Sequence, residues 1–242
     1  MTVRDPIAVA LGNLAVAEPV RSRLERYVAA LLARNATMNL TAARTPEAVA
    51  EHVRDSLALA EFAREPLVDV GSGGGFPGVP IALATGMHVT LVESVAKKAA
   101  FLEELARDQE IAVEVVCARA EDIGRDGRYR ARFASATARA VAGVTTVLEL
   151  TVPLLEIGGV ALLQRGRISV DERIAANDAA LVLGAIVEDE VALPLQPEGF
   201  VDGEDQRRLL VVRKTLATGP RFPRRAGIPT KRPLCLRPAT GD

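Results

Sequence analysis

LVDVGSGGGFPGVP, residues 67–80, places five glycines and two prolines directly behind an apolar run, and the reading of this stretch decides the fold. Leu67–Val70 is short and apolar enough for a buried strand, and the segment from about Pro77 through Ala84 reads as a helix. A strand, a tight turn and a helix N-terminus together form a cradle for an anion or a nucleotide. Glycines suit such a turn because the backbone must take positive φ and admit a ligand with no Cβ in the way. Asp69, inside the strand, is costly to bury without a partner such as loop amides or a bound cofactor. Its ordinary reading is a buttress of the loop.

Two registers fit the glycines. One is Asp69-x-Gly71-x-Gly73-x-Gly75, the pattern of S-adenosylmethionine-binding folds; the other is Gly73-x-Gly75-x-x-Gly78, a formal match to the dinucleotide fingerprint. In dinucleotide folds the first glycine follows the strand at once. Here Gly71 does so, and counting from it puts Phe76 where the third glycine belongs, which favours the first register. Glu93 ends the next apolar run, VTLVE, 22 residues after Gly71, where an acid can accept both ribose hydroxyls. NAD and S-adenosylmethionine folds share that device, so it does not separate them.

Outward from this unit the short apolar runs continue as VTLVES, VEVV, FASATA, VALLQ, a run near Ala185–Val191, and LLVVRK, separated by amphipathic stretches. The alternation predicts an α/β fold over residues 64–217, with a mostly parallel, seven-stranded, Rossmann-like sheet. Residues 1–63 read instead as a helical cap, with Leu24, Tyr27, Val28, Leu31 and Leu32 at helical spacing. A polar break at Met38–Ala43 precedes a new helix opened by Thr45-Pro46-Glu47. Residues 218–242 mix prolines with arginines and a lysine, carry no acid between Gly219 and Pro238, and read as an extended, loosely packed basic tail.

With 49% hydrophobic and 25% charged residues and a formal net charge of -1, the chain reads as globular, and any basic patch must be local. No run reaches the roughly 18 apolar residues of a membrane span, and Met1–Val20 lacks the basic leader of a signal peptide. Cys117 and Cys235 stand alone, without metal-ligand spacing; a disulfide framework and a metal site are not expected, and a cytoplasmic location is.

Several further motifs carry a resemblance: NLTA at Asn39–Ala42, His52-x-x-Asp55-Ser56-Leu57, DVGSGGGFPG at Asp69–Gly78, Arg119-Ala120-Glu121, Ala138-Arg139-Ala140, Arg165-Gly166, and the tail from Pro223-Arg224-Arg225 through Gly227, Pro229 and Lys231 to Pro233-Leu234. In these the chain resembles the ribosomal RNA small-subunit methyltransferase G family, also called glucose-inhibited division protein B. The resemblance implies a class I S-adenosylmethionine-dependent methyltransferase acting on N7 of one guanine in 16S rRNA, guanine 527 in the common rRNA numbering. It also implies the small ribosomal subunit or its rRNA as partner, and a monomer. By position it implies cofactor contacts from Gly71, Phe76, Glu93, Ala120, Glu121 and Arg139, beside Asp69, Gly73 and Gly75 of the loop. Asn39, His52, Asp55 and Arg139 are the expected residues of the guanine side, although spacing alone reads the first three as caps or surface residues. Arg165, Arg224, Arg225, Lys231 and Arg232 are the expected RNA contacts. The chain departs from the family in having Gln164 before Arg165-Gly166 and arginine where a lysine is usual, and residues 235–242 extend past the common end of the tail.

Other base methyltransferases declare themselves by residues missing here. Amino-group methylation usually needs an Asn-Pro-Pro-Tyr type loop after the fourth strand, where this chain has Ser135-Ala136-Thr137-Ala138-Arg139-Ala140. Carbon-5 methylation of a pyrimidine needs a cysteine nucleophile near the base, and neither cysteine is so placed in the motifs. Guanine N7 already has an in-plane lone pair and no proton to lose, so alignment can carry the chemistry. Aromatic residues total 3%, so RNA affinity should come from phosphate contacts, including Arg125, Arg128, Arg130 and Arg132. Two other readings stay open: an NAD-dependent oxidoreductase, disfavoured by the loop register, and an rRNA-binding assembly factor without turnover.

Overall fold

The computed structural model describes residues 5–139, 143–193 and 207–235. LVDV forms β1 (Leu67–Val70), buried at all four positions and paired in parallel with β2 (Val89–Glu93) on one edge and β4 (Phe133–Ala138) on the other. A strand covered on both faces has no need of polar alternation, which is why Asp69 stands out in it. β3 (Val113–Cys117) extends the sheet past β2; β5 (Leu155–Arg165), β7 (Arg208–Lys214) and β6 (Ala185–Ala192) extend it past β4. The order is β3-β2-β1-β4-β5-β7-β6, and β7 runs antiparallel to both its neighbours. The mostly parallel seven-stranded sheet is as expected; the apolar runs did not reveal the antiparallel insertion.

Alternate residues of each strand face two different cores. Leu67, Leu91, Leu162 and Leu209 pack with α1 (Pro6–Leu11), α2 (Glu18–Met38), α3 (Pro46–Ala60), α4 (Gly78–Thr85) and α5 (Ala96–Asp108). Val68, Val70, Ala136, Leu163 and Val212 pack with α7 (Val144–Thr151) and α8 (Val170–Leu183). The two-residue period therefore aims Asp69 at the α4 side, with Leu67. Chain order reverses between β1 and β4, so the loops at their carboxyl ends part and leave a crevice.

α3 starts as its residues dictate: Thr45 accepts a hydrogen bond from the Ala48 amide at 3.3 Å, and Pro46 occupies the first turn. α2 ends at Asn39, which takes the left-handed conformation at φ 51°.

The tail departs from the expectation of an extended, loose segment. Phe222 is buried, and the Arg130 guanidinium donates to the carbonyls of Gly124, Thr218 and Phe222, each at 2.7 Å, and of Gly219 at 3.2 Å. Arg125 Nε donates to Pro223 O at 2.8 Å, and Thr146 Oγ1 donates to Pro229 O, at the start of α9 (Ile228–Lys231), at 2.9 Å. Charges and prolines that read as solvated are instead anchors to α7 and to the segment after α6 (Ala120–Ile123). Residues 236–242 lie outside the described residues.

Candidate functional site

The glycine loop is shaped by its neighbours as much as by its own freedom. Gly75 sits at φ 106°, and a Cβ there would come within 2.7 Å of Val79 Cγ2, so only glycine fits. At Gly78 a Cβ would meet Leu91 Cδ2 at 2.4 Å and Asp69 Oδ2 at 3.0 Å, because the N-terminus of α4 lies directly on β1 and β2. The Gly71 amide donates to Val92 O at 2.8 Å, and the Tyr27 hydroxyl donates to Gly74 O at 2.9 Å.

Two buried acids hold this loop. Glu93 accepts from the Gly73 amide at 2.9 Å through Oε2 and from the Val95 amide at 2.7 Å through Oε1. Asp69 Oδ2 accepts from the Gly78 amide at 3.1 Å, while Oδ1 is buried without a partner. Burial pushes the Asp69 carboxyl up to about 7, against the Gly78 amide and the Arg139 charge that favour ionisation.

In front of the loop opens a cavity of about 580 Å³. Its walls are the Leu40–Ala42 segment, His52 and Asp55 of α3, the loop from Gly71 to Gly74 with Phe76, Arg139 beyond β4, Gln164 and Arg165 of β5 with Gly166, and Arg207 just before β7. The Arg139 guanidinium lies over the Phe76 ring at 4.6 Å and donates to His52 O at 3.4 Å; the His52 ring meets Phe76 at 5.4 Å, tilted by 58°. Asp55 pairs with Arg207, Oδ2 to Nε at 3.5 Å. Burial raises the Asp55 pKa, opposed by Arg207 and Arg139. Burial lowers His52 to about 4, and the positive charges of Arg139 and Arg207 add to the effect, so its imidazole is neutral at neutral pH. Cation, neutral ring and carboxylate thus share one crevice, an arrangement suited to orienting a planar ligand.

Of the four residues expected on the guanine side, His52, Asp55 and Arg139 come together here. Asn39 does not: it is exposed, accepts from Arg44 at 2.9 Å and ends α2 outside the cavity wall. Its motif neighbours are placed by Asn35 instead, a buried amide that accepts from the Leu40 and Thr41 amides at 2.7 and 3.0 Å and donates to Thr41 O and Ala43 O, each at 3.0 Å. An asparagine four residues after Leu31, on the apolar face of the helix, was the available signal for it. Arg207 gave no signal, since it is one arginine among many.

The adenine-side expectations fall apart from this cavity. Ala120 and Glu121 open α6 beyond β3, and buried Glu121 accepts from the Gly227 amide at 2.7 Å. Among the expected RNA contacts, Arg165 lines the cavity and stands 3.4 Å from Glu172. Arg225, Lys231 and Arg232 are exposed. Arg224 is turned toward an internal partner: its fork holds both oxygens of Glu149, 0% exposed, at 2.6 to 3.1 Å. Among the described residues there is no group of three metal-ligating side chains, and no helix is long and apolar enough to cross a membrane.

Comparison with known proteins adds an independent line. The family model described as rRNA small subunit methyltransferase G matches residues 21–196. A protein of that name from Rubrobacter xylanophilus is 42% identical over 222 residues, covering 88% of this chain and 83% of that one. Another, from Chloroflexus aggregans, is 39% identical over 230 residues, covering 92% and 93%. Among solved structures the fold is similar to that of TYW2 from M. jannaschii in complex with AdoMet (TM-score 0.53, 16% identity, 68% of this chain and 76% of that one). It is also similar to the branched-chain polyamine synthase from Thermus thermophilus (TM-score 0.57, 16% identity, 83% and 65%). At such identities the likeness is one of fold.

Proposed function

The chain belongs to the rRNA small subunit methyltransferase G family, and from that premise we propose that it methylates N7 of one guanine in 16S rRNA, using S-adenosylmethionine. The observation that carries this reading is the strand–glycine loop–helix unit, closed by Asp69 and Glu93, opening onto the crevice that holds His52, Asp55 and Arg139. The unpartnered Asp69 Oδ1 and a loop that carries no Cβ at Gly71 and Gly73 to Gly75 fit a ligand that brings donors of its own. Asp69, Gly71, Gly73, Gly75, Phe76, Glu93, Ala120, Glu121 and Arg139 are the residues that would hold it. Each Glu93 oxygen keeps a lone pair for a ribose hydroxyl, since each accepts one amide in this structure.

When bound, S-adenosylmethionine would supply a sulfonium methyl to the guanine N7 lone pair, the old bond's electrons staying on sulfur and the positive charge passing to the purine. N7 has no proton to surrender, so no residue has to act as a base. Phe76, packed by His52 and Arg139, and the Leu40–Ala42 wall then have the task of excluding water and holding the partners in line, a contribution of several kcal/mol. The Asp55 carboxylate faces the charge that reaches the purine. α3 and the Leu40–Ala42 segment form the wall on the base side, and Arg165, Arg225, Lys231 and Arg232 are the candidates for phosphate contacts.

Calorimetry with S-adenosylmethionine and NAD, followed by methyl transfer to small subunits lacking the modification and nucleoside analysis, tests the reading. It requires S-adenosylmethionine binding, no NAD binding, and 7-methylguanosine as product. Methyl on another atom would overturn the N7 assignment, and binding without transfer would leave an rRNA-binding protein.

A further inference from the structure

We propose that Asp55 and Gln164 read the Watson–Crick edge of the target guanine, an inference that rests on the N7 reading above and deepens it by naming the groups that choose the base. Asp55 is nearly buried, its side chain 8% exposed, yet its ion pair with Arg207 is single-pronged and long at 3.5 Å. The buried Glu149, by contrast, is gripped through both oxygens by Arg224. Gln164 Nε2 donates to Asp55 O at 3.5 Å, which leaves Oε1 as the unbonded acceptor of the amide. That oxygen is buried without a partner. Two under-used acceptors on facing elements, α3 and β5, therefore line the cavity that also holds Phe76 and Arg139.

Guanine offers two adjacent donors on its Watson–Crick edge, N1–H and N2–H, where adenine offers an acceptor at N1 and no amino group at C2. An acceptor pair is complementary to the first and repels the second. The choice of edge also suits the chemistry. Arginine commonly reads guanine through O6 and N7 together, which would occupy the atom that must attack; the opposite edge leaves N7 free. As positive charge enters the purine, N1–H and N2–H become stronger donors, so Asp55 binds the transition state more tightly than the substrate. Arg207, 49% exposed at the mouth, is released toward O6 or a flanking phosphate when Asp55 takes the base.

The test compares small subunits carrying guanine or inosine, which lacks the 2-amino group, at the target position. The proteins are the wild type, Asp55→Asn, Gln164→Leu and the double variant, each first checked for unchanged S-adenosylmethionine affinity by calorimetry. Wild type should transfer to inosine about 10- to 100-fold more slowly in single turnover. That penalty should shrink in each single variant and vanish in the double; Asp55→Asn should lower kcat more than it raises KM. If the double variant fails the calorimetric check, the two single variants decide. An inosine penalty that is absent in wild type, or undiminished in the variants, overturns this assignment while leaving N7 methylation intact. Wild-type methyl on a different atom overturns the parent reading and this one together.

Discussion

Burial moves the His52 and Asp69 pKa values in opposite senses. The native imidazole is held near 4 against 6.5 for the free group, so between those values the unfolded chain binds a proton that the folded chain does not. Stability should fall as pH drops from about 6.5 to 4. His52→Gln should gain on wild type across that window in urea melts. Asp69, raised to about 7 from 3.8, is protonated in the fold over a range where it is ionised in the unfolded chain. Its contribution is present at low pH and lost as pH rises through about 7, so Asp69→Asn should gain on wild type toward pH 8. Since His52 stays neutral from about pH 6 to 8 and N7 loses no proton, single-turnover methyl transfer at saturating cofactor should be flat there; a slope of one that persists in Asp69→Asn would show an ionising group in the chemistry. Glu93→Ala should weaken S-adenosylmethionine binding by about 1.5–3 kcal/mol, read by calorimetry, because a charged acceptor is lost. At this scale the motifs carried His52, Asp55 and Arg139 into one crevice but misplaced Asn39. A motif gives sequence position, whereas the inward-facing amide depends on where the helix ends, and that end turned Asn39 outward.

Elements were legible wherever burial on both faces leaves a run of apolar residues, as in LVDV, FASATA and LLVVRK. Strand direction was not, because the period of side chains is the same in parallel and antiparallel pairs, and β7 shows no other mark of its reversal. The glycine loop and α4 make one rigid unit with β1 and β2, and Gly78 is where they touch. Gly78→Ala should cost about 1–3 kcal/mol through overpacking against Leu91 and should also weaken cofactor binding by moving Asp69. Thermal melts and calorimetry together check it. A variant of normal stability and affinity would mean that α4 shifts freely.

For the molecule as a whole, the tail is both clamp and basic surface, two roles that composition could not separate because its partners lie far away in sequence. Glu149 is 75 residues from Arg224, and Arg130 is 92 from Phe222. Arg224→Ala strands a buried carboxylate and should cost about 3–5 kcal/mol, each kcal/mol lowering Tm by about 2–4 °C in a chain of this size. Replacing exposed Arg225, Lys231 and Arg232 by alanine should leave Tm unchanged and reduce the log–log salt slope of RNA binding by about 0.7–0.9 per lost phosphate contact. Equal salt slopes would show the tail to be clamp alone. One helix spans the corresponding divide at the crevice. Tyr27, Leu31 and Asn35 follow one another at four-residue steps along α2: the first bonds Gly74 O, the second lies where a Gly74 Cβ would come within 3.0 Å, and the third holds the Leu40–Thr41 amides. The two jaws of the crevice are therefore mounted on a single rail. A displacement of that rail carries both jaws with it and preserves the gap between them, so dimensional error at the reacting atoms does not accumulate along the chain, and the cap's sequence is free to drift as long as those three rungs keep their spacing.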